Sequence, residues 1–246
     1  MGYVFDFQDA QAWRSWHQRP AVSRAFEIQT RLMIEMLAPR RLDTVLGIGC
    51  GTCRHLAPLI EQGSDVTGID PSPYMLDIAR DRFGHRLELR RGFAERLPFE
   101  DNAFNHAVLF LSLEYVDDPS QALAEAFRVA KDRVFIGVWN RWSLHRGWRL
   151  AAHFFSPSPL DRACPCDLWR IRRHVCEHLG DVPVTWRSVG QFSLYPGGFL
   201  RWFEGLTPVQ HSPFGAFLSV VVTLTPRFRV RPLELTCPTG HRPAAG

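Results

Sequence analysis

Three alternating glycines and one aspartate are the residues of this chain whose types and spacing best fit ligand chemistry. Gly47, Gly49 and Gly51 follow an apolar run that begins at Val45, and a helix-like pattern comes after them. Glycines at such a turn let the backbone approach a nucleotide-like ligand closely. Asp70 ends a second apolar run about 20 residues later, where a carboxylate accepts hydrogen bonds from ribose hydroxyls. The spacing therefore predicts a site for a nucleoside-containing cofactor.

Two common nucleotide-binding motifs do not fit these glycines. A dinucleotide fingerprint requires Gly-x-Gly-x-x-Gly, but Thr52 or Arg54 occupies the last position in either register. A P-loop requires a lysine after its second glycine, and Lys131 is the only lysine in the chain. NAD and FAD are therefore disfavoured, and a P-loop is excluded.

Alternating strands and helices are needed to hold these residues in place. The apolar patterns predict strands near 44–48, 65–70, 87–91, 104–110 and 133–139, with helices at 54–62, 73–82 and 119–130. This alternation indicates an α/β fold in which helices cover both faces of a parallel sheet. Ligands of such sheets bind outside the carboxyl ends of the strands, and the glycines and Asp70 fall at such ends.

Further segments follow the glycine turn in a recurring order. They are Thr67–Leu76, which contains Asp70, then Gly92–Phe99, Phe104–Val108 with Leu111–Glu114, and Phe127–Lys131. Together with the turn they resemble the motifs of class I S-adenosylmethionine (SAM) methyltransferases, from Val45 to Asn140. They are most similar to the type 11 group, which includes the quinone-biosynthesis C-methyltransferases.

The resemblance implies a Rossmann-like three-layer sandwich with a mostly parallel seven-stranded sheet, whose last strand is antiparallel and pairs between strands five and six. It implies SAM as cofactor, S-adenosylhomocysteine as by-product and a small molecule as substrate. The ribose would lie at Asp70, the methionine portion at the Gly47–Gly51 backbone, the adenine at Phe93–Glu95, and the methyl group near Leu111. The full set of implied cofactor contacts is Gly47, Ile48, Gly49, Cys50, Gly51, Asp70, Pro71, Met75, Phe93, Ala94, Glu95, Leu97, Leu111 and Ser112.

Substrate contacts and catalytic groups follow less directly from the resemblance. Trp13 and Trp16 are implied to face the pocket from a lid, with packing of a cap helix as the alternative, and Asn140 and Trp142 follow strand five where substrate contact is expected. Methyl transfer mainly requires alignment of the reactants in a water-poor pocket. Glu114 and His106 are the ionisable side chains expected near the methyl group. Neither is assigned as a base, and no catalytic residue is predicted.

Three acids that are usual in the family are missing. Gly47 stands where an acid helps to hold the methionine portion, Phe93 where an Asp reaches the adenine amine, and Asn105 where an Asp orders the fourth-strand loop. A hydrogen bond to a charged group contributes about 1.5–3 kcal/mol, so we expect weaker SAM binding than is typical. The losses leave open a catalytically silent SAM-fold protein that acts through a partner.

The cysteines and one basic run leave further alternatives open. Cys50 and Cys53 form a C-x-x-C at a helix start, where redox chemistry would need a thiol of depressed pKa. A zinc site could involve cysteines and histidines between 164 and 178, although the family implies no metal: Cys164, Cys166, His174, Cys176 and His178. The basic run Trp169–Arg173 allows RNA as substrate, with a solvated helix face as the simpler reading.

Composition indicates an ordinary globular protein of one domain. The chain has 246 residues, 46% of them hydrophobic, and a net charge of +4, so nucleic-acid binding is not demanded. The start lacks the pattern of a signal peptide and no apolar run is long enough to span a bilayer, so we expect a cytoplasmic protein. The oligomeric state is not predicted.

Within residues 1–246 we expect five parts. They are a helical cap at 1–42, a SAM-binding core at 43–140, a substrate-side decoration at 141–212, a last strand at 213–225 and a loosely held tail at 226–246. The cap is predicted from a stripe of Val22, Phe26, Met33 and Leu37 that Pro39 ends. The decoration and last strand are predicted from helices near 143–154 and 165–179 and from strands Thr185–Leu194 and Phe214–Thr225.

Overall fold

A computed structural model describes residues 3–143, 163–190 and 210–224 of the chain. Within these ranges one seven-stranded sheet forms the centre of the molecule. Its strands are β1 Thr44–Ile48, β2 Asp65–Asp70, β3 Glu88–Arg91, β4 Phe104–Phe110, β5 Ala130–Trp139, β6 Val184–Val189 and β7 Phe217–Thr223. Their order across the sheet is β3-β2-β1-β4-β5-β7-β6.

The first five strands are parallel, and β7 runs antiparallel to both β5 and β6. The predicted position and direction of the last strand are therefore confirmed. Because parallel strands share one carboxyl edge, the residues that follow β1, β2 and β4 come together in space. That edge carries the site described below.

Six helices accompany the sheet in the described ranges: α1 Phe7–His17, α2 Pro20–Leu37, α3 Ala57–Glu61, α4 Pro73–Phe83, α5 Pro119–Val129 and α6 Leu168–Leu179. Their starts follow the usual rules. The side chains of Asp6, Ser72 and Asp118 accept hydrogen bonds from the first turns of α1, α4 and α5, and proline stands at the start of α2, α4 and α5. Across the described part of the chain, none of the helices combines the length and the apolar character that crossing a bilayer requires.

The predicted stripe of α2 packs on the sheet. Phe26, Met33 and Leu37 are buried and Val22 is partly buried. The helix ends at Ala38, which adopts a left-handed backbone conformation, just before Pro39. The stripe and its end are confirmed.

Two apolar clusters lie on opposite faces of the sheet. One contains Leu123 of α5 and Ile171 of α6. The other contains Met33 of α2, Leu59 of α3 and Ala79 of α4. The molecule is thus a three-layer sandwich, as the resemblance implied.

Several predicted elements extend beyond the described residues. Most of the helix near 143–154, the end of the strand Thr185–Leu194 and the whole tail at 226–246 lie outside them. Within the described residues the sixth and seventh strands are shorter than predicted, at Val184–Val189 and Phe217–Thr223. The division into cap, core, decoration and tail remains a prediction.

Candidate functional site

The carboxyl ends of β1, β2 and β4 surround a cavity that encloses about 830 Å³, including its open mouth. Most of the predicted cofactor contacts line it: Gly49, Cys50, Gly51, Asp70, Pro71, Met75, Phe93, Ala94, Glu95, Leu111 and Ser112. The structure thus brings together residues from four separate segments of the sequence.

The glycine turn needs its glycines for two physical reasons. Gly49 and Gly51 have φ angles of +61° and +52°, in the left-handed region that favours glycine. A Cβ at Gly49 would also lie 2.5 Å from the Cβ of Ser112, which follows β4. The backbone of the turn therefore approaches the end of β4 more closely than any side chain at Gly49 would permit.

Asp70 connects the glycine turn to the start of α4. Its carboxylate accepts a hydrogen bond from the Gly51 amide at 2.8 Å and another from the Ser72 amide at 2.9 Å. The residue is 8% exposed. Burial raises the pKa of this carboxyl to about 6, although the two amides favour its charged form. Each oxygen keeps a second lone pair, with which it can accept a ligand hydroxyl.

The connection after β3 forms the wall beside Asp70. The Gly92 amide donates to the Asp70 carbonyl at 3.2 Å, and Phe93 and Ala94 then line the cavity. The Glu95 carboxylate accepts from the Asp117 amide at 3.0 Å, which ties this wall to the segment after β4. An apolar ring at Phe93 therefore stands beside a buried carboxylate.

The chain leaves β4 through a strained residue. Leu111 has a φ of +54°, an unusual value for leucine, and its amide donates to the Gly137 carbonyl of β5 at 2.7 Å. Ser112 follows, and its buried hydroxyl has no hydrogen-bond partner. Backbone strain and unpaired polar atoms concentrate at functional sites.

Aromatic side chains from the amino-terminal part of the chain line the cavity. Tyr3, Phe5 and Trp13 line it together with Phe26 of α2. The Phe5 ring packs edge-on against Trp13, with centroids 5.7 Å apart, and against Tyr115 at 5.1 Å. Trp13, which the resemblance placed at the pocket, is among the lining residues, whereas the remaining rings were not singled out from the sequence.

His55 is a further cavity residue that sequence reasoning missed. It lies in the short 3₁₀ turn Arg54–Leu56 after the glycine turn, and its ring stacks on Phe110 with centroids 4.7 Å apart. It is 5% exposed, and its Nε2 has no hydrogen-bond partner. Burial, with a smaller contribution from His17, lowers the pKa of His55 to about 3. Its position just after the glycine turn is the one sequence signal that could have indicated it.

Three predicted cofactor contacts do not line the cavity: Gly47, Ile48 and Leu97. Ile48 and Leu97 are buried in the core. A Cβ at Gly47 would lie 2.6 Å from Cδ1 of Leu56, a fully buried side chain. The space that the acid implied by the resemblance would occupy is therefore filled by leucine.

Three predicted substrate contacts also lie away from the cavity. Trp16 packs against Trp13 and His17. Asn140 is buried, and its amide donates to the carbonyls of Pro213 and Gly215 at 2.6 and 2.8 Å. Trp142 is 55% exposed. The Asn140 side chain is held by the segment before β7, which the local sequence could not reveal.

The two ionisable groups expected near the methyl group occupy other positions. His106 lies near the amino end of β4, the edge of the sheet opposite to the cavity, and its Nε2 is 2.9 Å from an Asp43 oxygen. Glu114 is buried and accepts from the Trp139 amide at 2.6 Å, while its second oxygen has no partner. Burial raises the pKa of Glu114 to about 7. Neither residue lines the cavity.

Asn105 belongs to the amino edge of the sheet rather than to the loop after β4. Its amide oxygen accepts from the Thr44 amide at 3.2 Å, and its amide nitrogen donates to Asp132 at 2.8 Å. The Asn105 backbone amide donates to the Thr44 hydroxyl at 2.9 Å. An aspartate here would face the Asp132 carboxylate, so the asparagine suits its surroundings.

The C-x-x-C pair is buried, and Cys50 lacks the depressed thiol pKa that the redox alternative would need. A Cβ at Gly68 would lie 2.8 Å from the sulfur of Cys50 and 3.2 Å from that of Cys53, so both sulfurs pack on β2. Burial, together with Cys53 and Asp70, raises the pKa of Cys50 well above its usual value. A protonated, buried thiol is a poor nucleophile.

The residues of the zinc alternative are separate in the structure. Cys164 and Cys176 are exposed, and Cys166 is buried. His174 pairs with Glu177 at 3.2 Å, and His178 with the Ser120 hydroxyl at 2.9 Å. Among the described residues, no three metal-ligating side chains are grouped closely enough to hold an ion.

The basic run on α6 presents two faces. Trp169 is exposed whereas Ile171 is buried in the core, and Arg172 and Arg173 are exposed. The run is thus a solvated helix face whose apolar side packs on the sheet.

Comparison with known proteins finds similarity over the part of the chain that forms this site. Residues 46–136 match the family described as "Methyltransferase domain". An uncharacterised methyltransferase of Mycobacterium tuberculosis is 36% identical over 116 residues, which make up 47% of this chain and 47% of that protein. A demethylmenaquinone methyltransferase of Listeria monocytogenes is 32% identical over 105 residues, 40% of this chain and 44% of that protein. The chain therefore matches less than half the length of these curated relatives.

The whole fold also has solved counterparts. A SAM-dependent methyltransferase of Thermotoga maritima, described as a possible histamine N-methyltransferase, matches with a TM-score of 0.65 at 21% identity. The match covers 88% of this chain and 98% of that one. At this identity the likeness shows the fold.

Proposed function

We propose, from the match of residues 46–136 to the methyltransferase-domain family, that this chain is a SAM-dependent methyltransferase that acts on a small molecule. The observation that carries the proposal is the buried Asp70 carboxylate, which bridges the glycine turn and α4 at the wall of the cavity. A carboxylate there suits the two hydroxyls of a ribose.

The residues present fit SAM. Asp70 would hold the ribose, and Phe93, Ala94 and Glu95 would surround the adenine. The Gly49–Gly51 backbone would hold the methionine portion, since a Cβ at Gly49 would meet Ser112. When bound, SAM supplies an activated methyl group and leaves as neutral S-adenosylhomocysteine. The chain's own task is to align the acceptor with that group and to exclude water.

The aromatic lining of the cavity supports a small acceptor rather than RNA. Tyr3, Phe5, Trp13 and Phe26 cover the cavity with apolar rings, which suit an apolar molecule of limited size. We propose that residues 1–42 form this lid and that residues 43–140 hold the cofactor. RNA as acceptor would instead require affinity for RNA that falls steeply with salt.

Affinity for SAM is expected to be weaker than is usual in the family. Leu56 occupies the space beside Gly47 in which an acid would stand, so the methionine portion loses a charged partner. One hydrogen bond to a charged group is equivalent to about ten- to a hundredfold in affinity. Asp70 and the glycine turn remain, and for this reason we expect binding.

Calorimetry with S-adenosylhomocysteine tests the proposal. Asp70→Asn should weaken binding by about tenfold or more, because the amide presents one acceptor oxygen in place of two. The matched control is Asp65→Asn, at the exposed opposite end of β2, which should leave affinity unchanged. A wild-type protein that fails to bind would instead favour a catalytically silent protein acting through a partner.

A further inference from the structure

One side of the cavity carries a polar side chain, His55, that the proposed cofactor contacts do not use. His55 lines the cavity on the side formed by Phe110 and Phe26, whose rings are 5.4 Å apart. Phe26 also packs edge-on against His17, at 4.9 Å. His55 therefore stands in an aromatic environment continuous with the lid.

Among the described residues, none hydrogen-bonds the buried Nε2 of His55. Leaving a buried polar atom without a hydrogen bond costs about 1–3 kcal/mol. The neighbouring His17 is satisfied, since its Nδ1 is 3.0 Å from the Trp13 carbonyl. Within the described ranges, the Ser112 hydroxyl is the other side-chain group lining this cavity that is buried and unpartnered. An apolar cavity with unpaired polar atoms in its wall is ready for a ligand that carries a complementary group.

Burial keeps the His55 ring neutral at neutral pH, because it lowers the pKa of this imidazole to about 3, with a smaller contribution from His17. His17 and Arg54 are the titratable neighbours, and the Arg54 guanidinium is directed to the His17 carbonyl at 3.2 Å and to the Ser23 hydroxyl at 2.6 Å. A neutral imidazole offers one hydrogen-bond donor and one acceptor. It therefore suits a hydroxyl group, which can both donate and accept.

We propose that His55 is a specificity-determining residue that hydrogen-bonds a hydroxyl group on the methyl acceptor, and that this acceptor has a flat apolar body packed against Phe26, Phe110 and Trp13. This inference rests on the proposed function and names the acceptor class of that same cavity. His55 selects hydroxylated acceptors because an acceptor without the hydroxyl leaves Nε2 buried and unpaired.

The test compares two probes that differ by one hydroxyl, 1-naphthol and naphthalene, by equilibrium dialysis against the protein saturated with S-adenosylhomocysteine. An apolar site without a hydrogen-bonding group prefers naphthalene, because burial of a hydroxyl costs free energy. The wild-type complex should prefer 1-naphthol by about tenfold, the value of one hydrogen bond of 1.4 kcal/mol. His55→Phe should keep naphthalene binding and lose the preference.

Three controls make the outcome decisive. His55→Gln keeps a hydrogen-bonding side chain and should retain part of the preference, whereas His85→Phe, at an exposed histidine, should retain all of it. S-adenosylhomocysteine affinity should be the same in all variants, which also shows that they fold. Loss of that affinity in the wild type would refute the proposed function. The role of His55 would be refuted, without consequence for the proposed function, by either of two results. The wild type could bind S-adenosylhomocysteine but show no preference for 1-naphthol, or His55→Phe could show the same preference as the wild type.

Discussion

At the scale of residues, Gly47 is the position at which this site differs most from the methyltransferase pattern that it resembles. An acid could not simply replace Gly47, because the Leu56 side chain fills the space beside Gly47 and packs on the glycine turn. Restoring an acid there would therefore require a smaller residue at position 56 as well. Asp70 and Glu95 both line the cavity, but Asp70 bridges the glycine turn and α4, so its titration should govern binding.

The affinity for S-adenosylhomocysteine should fall as the pH is lowered from 8 to 5. The pKa of Asp70 is raised to about 6 by burial, so the free protein loses the carboxylate below that pH. At pH 5 the protonated form exceeds the charged form about tenfold, and affinity should weaken by about that factor. Calorimetry across this range measures it. Asp70→Asn should give a flat profile, and an equally steep one in that variant would assign the dependence to another group.

At the scale of elements, the amino edge of the sheet is held by a polar network rather than by packing alone. Asn105 at the start of β4 joins Thr44 at the start of β1 to Asp132 in β5. The network sets the mutual register of these strands, and with it the alignment of their carboxyl ends at the cavity. A residue that a family comparison suggests as a site residue thus acts at the opposite edge.

Asn105→Asp should destabilise the fold by about 1–3 kcal/mol, because it replaces an amide donor with a carboxylate that faces Asp132. Urea unfolding measures the change. Adding Asp132→Asn restores a donor opposite the new carboxylate and should recover most of the loss. A double variant no more stable than the single one would show that the bond between these two side chains contributes little.

At the scale of the whole molecule, buried ionisable groups make stability depend on pH in opposite directions. His17 and His55 have pKa values lowered by burial to about 4 and about 3, so the unfolded chain binds more protons as pH falls below the ordinary histidine range. Because of these two residues, the free energy of unfolding decreases as the pH falls below the ordinary histidine range. Asp70 and Glu114, whose pKa values are raised, act in the other direction.

Glu114→Gln should therefore gain stability relative to the wild type between pH 5 and pH 8. The folded protein keeps the Glu114 proton up to a pKa of about 7, whereas the unfolded chain releases it near the ordinary value of 4.5. Wild-type stability from this group thus falls as pH rises through that window, by about 1–3 kcal/mol. Urea unfolding at both pH values measures the difference. Glu100→Gln, at an exposed residue, should show none, and a parallel pH dependence in wild type and Glu114→Gln would contradict the expectation.

Local sequence patterns were enough to predict the strands of the parallel core, the glycine turn and the position of Asp70 at the cavity. These depend on local patterns, since an apolar run, a left-handed glycine and the last residue of a strand are specified by neighbours in the chain. The position and direction of β7 were predicted from the family resemblance, because the order of the motifs along the chain is typical of one strand order in the sheet.

Which side chains face the cavity, and which are buried away from it, depends on how the elements pack against one another. Leu56 beside Gly47, His55 on Phe110 and Asn140 on the segment before β7 are contacts between residues brought together by folding. The burial of Cys50 and Cys53 against Gly68 likewise follows from the pairing of β1 and β2. Local pattern places a residue on an element, but packing between elements sets its exposure, its partners and therefore its chemistry.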